Sequence, residues 1–219
     1  MQGWTGIDMT LPPAVYHPRL GDLAGFALFR HGFRERQRWL CPMIDLSAVP
    51  AGTPSAEALF EKRQVQALRS AARRGAVASD AGADGLVEFG RVFDETYARH
   101  GVQPTHTLDE IELLLRRFPN RIRLVFARED TRVTAGLLVM QLTADVAVTF
   151  YICSSAEHRG ASGAIVAVAG LIDSLRERGC RWLDFGPSAS DESINAGVMF
   201  FKEGLGGIGY CRSQWSWVA

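Results

Sequence analysis

The sequence predicts a mixed α/β protein, an α+β sandwich, because its hydrophobic period changes twice along the chain. Apolar residues recur at helical spacing over residues 86–97 and 111–118. Over residues 122–153, apolar residues instead alternate with other residues, as in a strand. This stretch is also rich in β-branched and aromatic side chains, which is typical of an antiparallel meander. The helical period returns over residues 161–175, before two final strands. This mixed order excludes a doubly wound parallel sheet.

Regular structure is predicted mainly after residue 55. Six prolines lie before it and interrupt helices and sheets, so only a short strand over residues 38–46 is expected there. Ser55 is predicted to cap a helix over residues 56–74. Thr107 and Glu110 match a capping box at a later helix start. The remaining predicted elements are a strand from residue 77, strands over 122–126, 133–142 and 146–153, a helix over 161–175, a strand over 182–185, a helix over 193–203 and a strand over 208–218.

Composition excludes several classes of function. The 219 residues carry 24 basic and 24 acidic side chains, so no global charge steers the chain to nucleic acid or to an anionic membrane. The four cysteines form no CxxC pair, so we expect no metal and a reducing, cytoplasmic location. Residues 161–175, the longest apolar stretch, are too few and too interrupted to span a membrane, and residues 1–10 are not expected to be a signal peptide.

Four short motifs follow one another between residues 56 and 219. They are Gln66–Gly75, Arg159–Ala164, Gly179–Pro187 and Phe200–Gly207. Together with the order of elements, they resemble the GNAT acyltransferase superfamily in its FemAB-like (BioF2-like) branch. The resemblance implies a GNAT-like domain over residues 56–219, with a mostly antiparallel sheet flanked by helices on both faces. Because that branch usually carries two such domains, residues 1–55 form an extension that resembles a remnant of the first.

The segment before the last long predicted helix resembles the family's phosphate-binding loop. It consists of Arg159, Gly160, Ala161, Ser162, Gly163 and Ala164, with Ser162 in place of the usual central glycine. Unpaired N–H groups at a helix start attract an anion, and small side chains let the pyrophosphate of coenzyme A approach. Arg159 would add a bidentate contact. The alternative is a flexible turn that leads into a packing helix.

The resemblance also implies roles for single residues in acyl transfer to an amine, which needs a base and a donor to the oxyanion. Asp184 would act as the base or bind the amine, Ser188 would donate to the leaving thiolate, and Tyr151 would act as an acid. His106 would line the acceptor cleft, and Lys202 would neutralise a phosphate or an acyl carboxylate. The alternatives are structural: a buried carboxylate, a turn serine, a core tyrosine, a loop histidine and a surface lysine.

The resemblance favours an N-acyltransferase with acyl-CoA as donor and a small-molecule or peptide amine as acceptor. The pantetheine arm would pair with edges exposed where residues 146–153 splay from residues 181–185; the alternative is an ordinary core sheet. A second hypothesis is a FemAB-type peptidyltransferase that uses aminoacyl-tRNA, or an enzyme that uses a carrier protein. In the tRNA-dependent case, the phosphates of the aminoacyl-tRNA would bind a basic stripe of Lys62, Arg69 and Arg73 on one helix face. The alternative is a solvated helix face. A third is a non-catalytic binding module, whose exposed tail Trp215–Trp217 would contact another chain; the alternative for this tail is a final edge strand packed on the core. A homodimer is also considered.

Overall fold

The structure, a computed structural model, describes residues 5–157, 162–190 and 193–218. The strands are β1 (Gly6–Leu11), β2 (Arg34–Asp45), β3 (Val77–Ala81), β4 (Ile122–Glu129), β5 (Arg132–Gln141), β6 (Val146–Ser154), β7 (Trp182–Asp184), β8 (Ala189–Ser190) and β9 (Ile208–Val218). The α-helices are α1 (Leu23–Arg30), α2 (Ser55–Leu59), α3 (Lys62–Arg73), α4 (Leu86–His100), α5 (Leu108–Arg117), α6 (Gly163–Glu177) and α7 (Ala196–Gly204).

Two compact units make up the fold. The first combines Met1–Ile44, Phe185–Glu203 and Gly207–Ala219, and the second combines Asp45–Asp184 with Gly204–Gly206. Each unit is therefore assembled from segments that are distant in sequence. The division into an extension, residues 1–55, and a domain, residues 56–219, stays a prediction.

The first unit is built around β9, which pairs antiparallel with β1 on one side and with β2 on the other. The short strand β8 pairs with β2. The segment around α1 packs on this sheet: a Cβ at Gly25 would lie 3.7 Å from the Trp215 ring, and one at Gly32 3.8 Å from Trp217. Both tryptophans are half-buried in a central strand. The expectation of an exposed aromatic tail is therefore wrong.

The second unit contains a sheet with the strand order β7-β6-β5-β4-β3. The strands from β3 to β6 pair antiparallel, and β6 pairs with β7 in parallel. The predicted meander corresponds to β4, β5 and β6. The prediction of a mixed, mostly antiparallel sheet is confirmed.

Helices cover both faces of this sheet because successive side chains of a strand point to opposite sides. On one face, Leu124 and Phe126 of β4 pack with Phe89 of α4 and with α5 in one buried cluster. On the other face, Arg123 of β4 donates to Ser174 Oγ of α6 at 3.0 Å. The prediction of helices on both faces of the sheet is therefore confirmed as well.

The helix predicted from residue 56 is divided into α2 and α3. Phe60 between them has extended backbone angles (φ −83°, ψ 147°) and is buried. The next residue, Glu61, donates its backbone N–H to Gly204 O at 2.9 Å. Ser55 is the first helical residue and not the cap, and its hydroxyl donates to Asp173 of α6. A tertiary contact and a buried aromatic ring thus interrupt a segment with helical spacing.

The N-terminal segment is more regular than its prolines suggest. Pro12 and Pro13 follow β1 directly, and Pro18 precedes α1, so these prolines bound the elements and do not interrupt them. The capping box at Thr107 and Glu110 is present at the start of α5 and is confirmed.

Candidate functional site

The strands β6 and β7 part within the second unit. Their parallel pairing runs from Val146↔Trp182 to Val148↔Asp184, whereas β6 continues to Ser154. Beyond this point the pairing of β6 with β5 shifts register, which makes Phe150 an extra, bulged residue. A bulge bends its strand and increases the local twist. Beyond Val148, β6 therefore continues without pairing to β7. The splay that the resemblance implies stays a prediction.

The helix α6 begins where the predicted phosphate-binding loop ends. Three loop residues lie outside the described residues, namely Arg159, Gly160 and Ala161. Ser162 is the N-cap of α6 with a left-handed backbone (φ 56°), and its carbonyl accepts the N–H of Val166 at 3.1 Å. By helix geometry, the N–H groups of Gly163 and Ala164 have no partner within the helix. They are the groups at this helix start that an anion would contact.

Gly163 holds the start of α6 close to β5. A Cβ at this position would lie 2.6 Å from Thr134 Oγ1 and 2.9 Å from the Thr134 carbonyl carbon, so only glycine fits. Ser155 donates its N–H to Thr134 O at 3.0 Å. The Ser155 hydroxyl is completely buried and has no hydrogen-bond partner among the described residues. Such a group is costly unless something binds it. Ser155, whose hydroxyl is unsatisfied, is therefore bonded through its backbone to Thr134, the residue of β5 that contacts the start of α6.

Two of the predicted catalytic residues, His106 and Tyr151, are in contact. His106 Nδ1 lies 3.0 Å from Tyr151 Oη, and the His106 backbone N–H donates to the same oxygen at 3.1 Å. The His106 ring also meets Phe150 edge to face, with centroids 5.1 Å apart. Tyr151 is 5% exposed and makes edge contacts with Phe93 and Tyr97. The packed phenol thus fixes the position of a half-exposed imidazole.

Burial keeps the phenols of this cluster protonated. Desolvation raises the pKa of Tyr151, and hydrogen bonds from His106 and Thr105 oppose the shift. Desolvation also raises the pKa of Tyr97 to about 12. A neutral Tyr151 oxygen can accept a hydrogen from His106 Nδ1. In that tautomer Nε2 carries the lone pair and can act as a base.

His106 lines a cavity of about 490 Å³ in the second unit. The cavity is bounded by the end of α4, the loop that follows it and the start of α5. Phe93, Tyr97 and Leu108 contribute apolar surface, and Asp94 contributes a carboxylate. This volume is typical of small-molecule sites, which combine apolar walls with a few polar groups. The arrangement suits an amine, because the carboxylate attracts the ammonium and the imidazole can take a proton.

Sequence reasoning did not single out Asp94 or Tyr97. Tyr97 has the helical spacing of a core residue, and that spacing does not show that the apolar face of α4 ends at a cavity. Asp94 lies on the exposed side of the same helix. The available signal was His106 itself, which the resemblance placed at the acceptor cleft and which lines this cavity together with the end of α4.

Asp184, the predicted base, is the last residue of β7 and is completely buried. Thr149 Oγ1 donates to its backbone oxygen at 3.4 Å. The residue thus marks the point at which β6 and β7 part. Complete burial favours a structural role, and a direct role in proton transfer stays a prediction.

Ser188 and Lys202 lie in the first unit, at the turn that follows β7. Lys202 is 6% exposed, and its Nζ donates to Gly186 O at 3.1 Å and to Pro187 O at 3.4 Å. Lys202 is therefore a buried residue and not a surface lysine. Its ammonium group stabilises this turn by donating to two of its carbonyl oxygens. Ser188 donates its N–H to Leu40 O at 2.9 Å. Its buried hydroxyl has no hydrogen-bond partner among the described residues and is available as a donor.

The Lys202→Ala substitution is expected to lower the free energy of unfolding by about 2 kcal/mol, because two carbonyl oxygens lose a charged donor. The matched control is Lys62→Ala, which removes an exposed lysine from the first turn of α3. That change is expected to alter stability by less than about 0.5 kcal/mol. Urea denaturation of both variants measures the difference. Equal stabilities would show that Lys202 does not hold the turn.

Neither a metal cluster nor a membrane span is found in the described part of the chain. No three His, Cys, Asp or Glu side chains converge there in a way that could hold a metal ion. No helix in the described ranges is long and apolar enough to cross a membrane. All four cysteines are free thiols. The cytoplasmic location stays a prediction.

The cavity, the parted strands and the start of α6 lie in a segment that a family model also matches. The model is described as an acetyltransferase (GNAT) domain and matches residues 61–199, which is more than half of the chain. The chain belongs to the GNAT acetyltransferase family. No curated protein matches this GNAT protein.

Solved structures show which form of the GNAT fold this is. FemX matches this GNAT protein with a TM-score of 0.74 and 16% identity, over 97% of this chain and 72% of FemX. A C-terminal domain assigned to a lysylphosphatidylglycerol synthetase from Agrobacterium fabrum matches with a TM-score of 0.63 and 18% identity, over 91% of this chain and 65% of that one. L-PGS from Bacillus licheniformis matches with a TM-score of 0.62 and 14% identity, over 89% and 64%.

This GNAT protein thus spans less than two thirds of the Agrobacterium fabrum chain and of the L-PGS chain that it matches. At these identities the likeness shows the fold. The fold matches that of FemX, which is consistent with the FemAB-like branch, and the resemblance to the GNAT superfamily identified from the short motifs is confirmed.

Proposed function

We propose that this GNAT protein is an N-acyltransferase that moves an acyl group from acyl-CoA to the amine of a small molecule or peptide. The parting of β6 and β7 carries the proposal. From Thr149 onward, β6 extends beyond its pairing with β7, and the amides of a pantetheine arm would pair with this edge as an added strand does. Membership of an acetyltransferase family supports the same chemistry.

The start of α6 is the proposed site of the donor's pyrophosphate. The first turn contains no acidic residue, and the N–H groups of Gly163 and Ala164, which have no partner within the helix, suit an anion. Ser155 offers a further hydroxyl near the strand that holds this turn. Arg159, which lies outside the described residues, would add a positive charge from the loop.

The cavity beside His106 is the proposed acceptor site. Asp94 would hold the acceptor ammonium, and His106 Nε2 would take one proton from it to free the lone pair of the nitrogen. The neutral amine would then attack the thioester carbonyl and lose its second proton to solvent. The carbon–nitrogen bond forms, the carbon–sulfur bond breaks, and the thiolate leaves with a proton from solvent or a donor side chain. Tyr151 would hold His106 in the tautomer that leaves Nε2 free. Tyr151 is then a positioning residue rather than the acid predicted from sequence.

The aminoacyl-tRNA hypothesis depends on the basic stripe of α3. In the structure, Arg69 of that stripe forms an ion pair with Glu57. Part of the positive charge is therefore neutralised locally, which weakens the stripe as a binding surface for RNA phosphates. We favour acyl-CoA as the donor.

Thermal unfolding with acetyl-CoA, a longer acyl-CoA and free CoA tests the donor. A ligand present at about 1,000 times its Kd stabilises the folded state by about 4 kcal/mol, which corresponds to roughly 10 °C in Tm for a chain of this size. All three ligands share the pyrophosphate, so all three are expected to raise Tm. No shift with any of them would contradict acyl-CoA as donor and favour a carrier protein or aminoacyl-tRNA.

Two arginine substitutions then locate the binding site. Arg159→Ala is expected to reduce the shift, because the pyrophosphate loses a bidentate contact. Arg117→Ala, which removes an exposed arginine from the last turn of α5, is the matched control and should leave the shift unchanged. An equal shift in both variants would remove the phosphate role from Arg159.

A further inference from the structure

The helix α1 of the first unit has an inner face and an apolar outer face. Its inner face packs on the sheet, where Gly25 lies against Trp215. On the outer face, Leu23 is 58% exposed, Phe26 is 61% exposed and Phe29 is 67% exposed. No residue of α1 is buried. Contiguous exposed apolar side chains of this size mark an interaction surface.

Charged residues flank this face in a symmetric pattern. Asp22 precedes the helix and Arg30 ends it, and both are exposed. At about 100° per residue, both lie within roughly 40° of Phe26 around the helix axis, and Leu23 and Phe29 lie within roughly 60°. An acidic residue stands four positions before Phe26 and a basic residue four positions after it. A large apolar residue likewise stands three positions before and three after.

We propose that this outer face of α1 binds the same face of a second copy of the chain, antiparallel, about a twofold axis at Phe26. In a twofold interface each residue meets its symmetric counterpart, so complementary positions occur in reciprocal pairs. Leu23 then packs on the partner subunit's Phe29, and the two Phe26 rings meet at the axis. Asp22 faces the partner subunit's Arg30, and Arg30 faces the partner subunit's Asp22.

Charge complementarity favours a second copy of the chain as the partner of this face. Within the described residues, neither Asp22 nor Arg30 belongs to an ion pair. The face carries one acid and one base, so its net charge is zero and it has no electrostatic preference for an anionic membrane. An antiparallel copy of itself satisfies both charges and covers all three apolar side chains. Because two short helices bury little area, the dimer is expected to be weak.

Charge exchange tests the pairing. Sedimentation equilibrium of the full chain, at concentrations up to about 500 μM for a weak complex, is expected to show a monomer–dimer equilibrium. Asp22→Arg and Arg30→Asp each place like charges at both reciprocal contacts and should weaken the dimer about tenfold. The double variant Asp22→Arg/Arg30→Asp should restore wild-type affinity. An equimolar mixture of the two single variants should form heterodimers, since each then faces its opposite charge.

The apolar contact is tested with a matched pair of substitutions. Phe26→Ser removes both rings at the axis and should abolish association. Val87→Ser removes an 86% exposed apolar residue from α4 of the second unit and should leave association unchanged. Unaltered Tm values show that the variants are folded. A wild-type chain that stays monomeric throughout, or single charge variants that fail to pair on mixing, would overturn the proposal.

Discussion

Replacing His106 with alanine is expected to lower kcat/KM for acyl transfer about 1,000-fold, because a positioned general base contributes roughly 10²- to 10⁴-fold. The loss should fall mainly on kcat, since the apolar walls of the cavity and Asp94 still bind the acceptor. Steady-state kinetics with an acyl-CoA and an amine that the enzyme accepts measures this loss.

The matched control is His100→Ala, which removes an exposed histidine from the end of α4 and should leave kcat/KM unchanged. Tyr151→Phe should lower kcat by a smaller factor, about tenfold, because the ring keeps its packing and His106 loses its partner oxygen. A His106→Ala variant with full activity would contradict the proposed acceptor site.

Replacing Gly163 with alanine is expected to cost about 3 kcal/mol of unfolding free energy, at the upper end of the range for overpacking a core. The added methyl group would lie 2.6 Å from Thr134 Oγ1 and 2.9 Å from its backbone carbonyl carbon. Thr134 lies in the middle of the sheet, so neither atom can move away freely. Urea denaturation monitored by circular dichroism measures the loss.

Gly197→Ala in α7 is the control for the effect of replacing a helical glycine with alanine where no close contact exists. A Cβ there would meet only a side-chain atom at 3.8 Å, which is an ordinary contact, and alanine favours a helix interior. Stability should therefore stay equal or rise slightly. A Gly163→Ala variant as stable as the wild type would show that α6 does not depend on this close approach to β5.

Several elements of the fold could be predicted because their signals are local. The alternation of Ile122, Leu124 and Phe126 identifies β4, and those three side chains do share one face. The capping box at Thr107 depends on residues three apart, and it forms as predicted. The break at Phe60 could not be predicted, because it depends on the contact of Glu61 with the distant Gly204.

The candidate site was only partly predictable for the same reason. The residue types at His106 and Tyr151 suggested chemistry, and the family resemblance implied that His106 lines the acceptor cleft and that Tyr151 acts as an acid. Nothing local shows that their side chains meet, because they are 45 positions apart. Lys202 was assigned to a phosphate or an acyl carboxylate, with a surface position as the alternative, and neither reading shows that the Gly186 carbonyl accepts from its buried ammonium group.

Periodicity, caps and the ordered motifs of this chain were enough to identify a mixed sheet, its flanking helices and the GNAT family, because such signals depend on neighbours within a few residues. The parting of β6 from β7, the contact of His106 with Tyr151 and the symmetric outer face of α1 became visible only in three dimensions. Each of these depends on where the backbone carries residues that are remote in sequence or on which helix face is left uncovered, and no local pattern encodes that path.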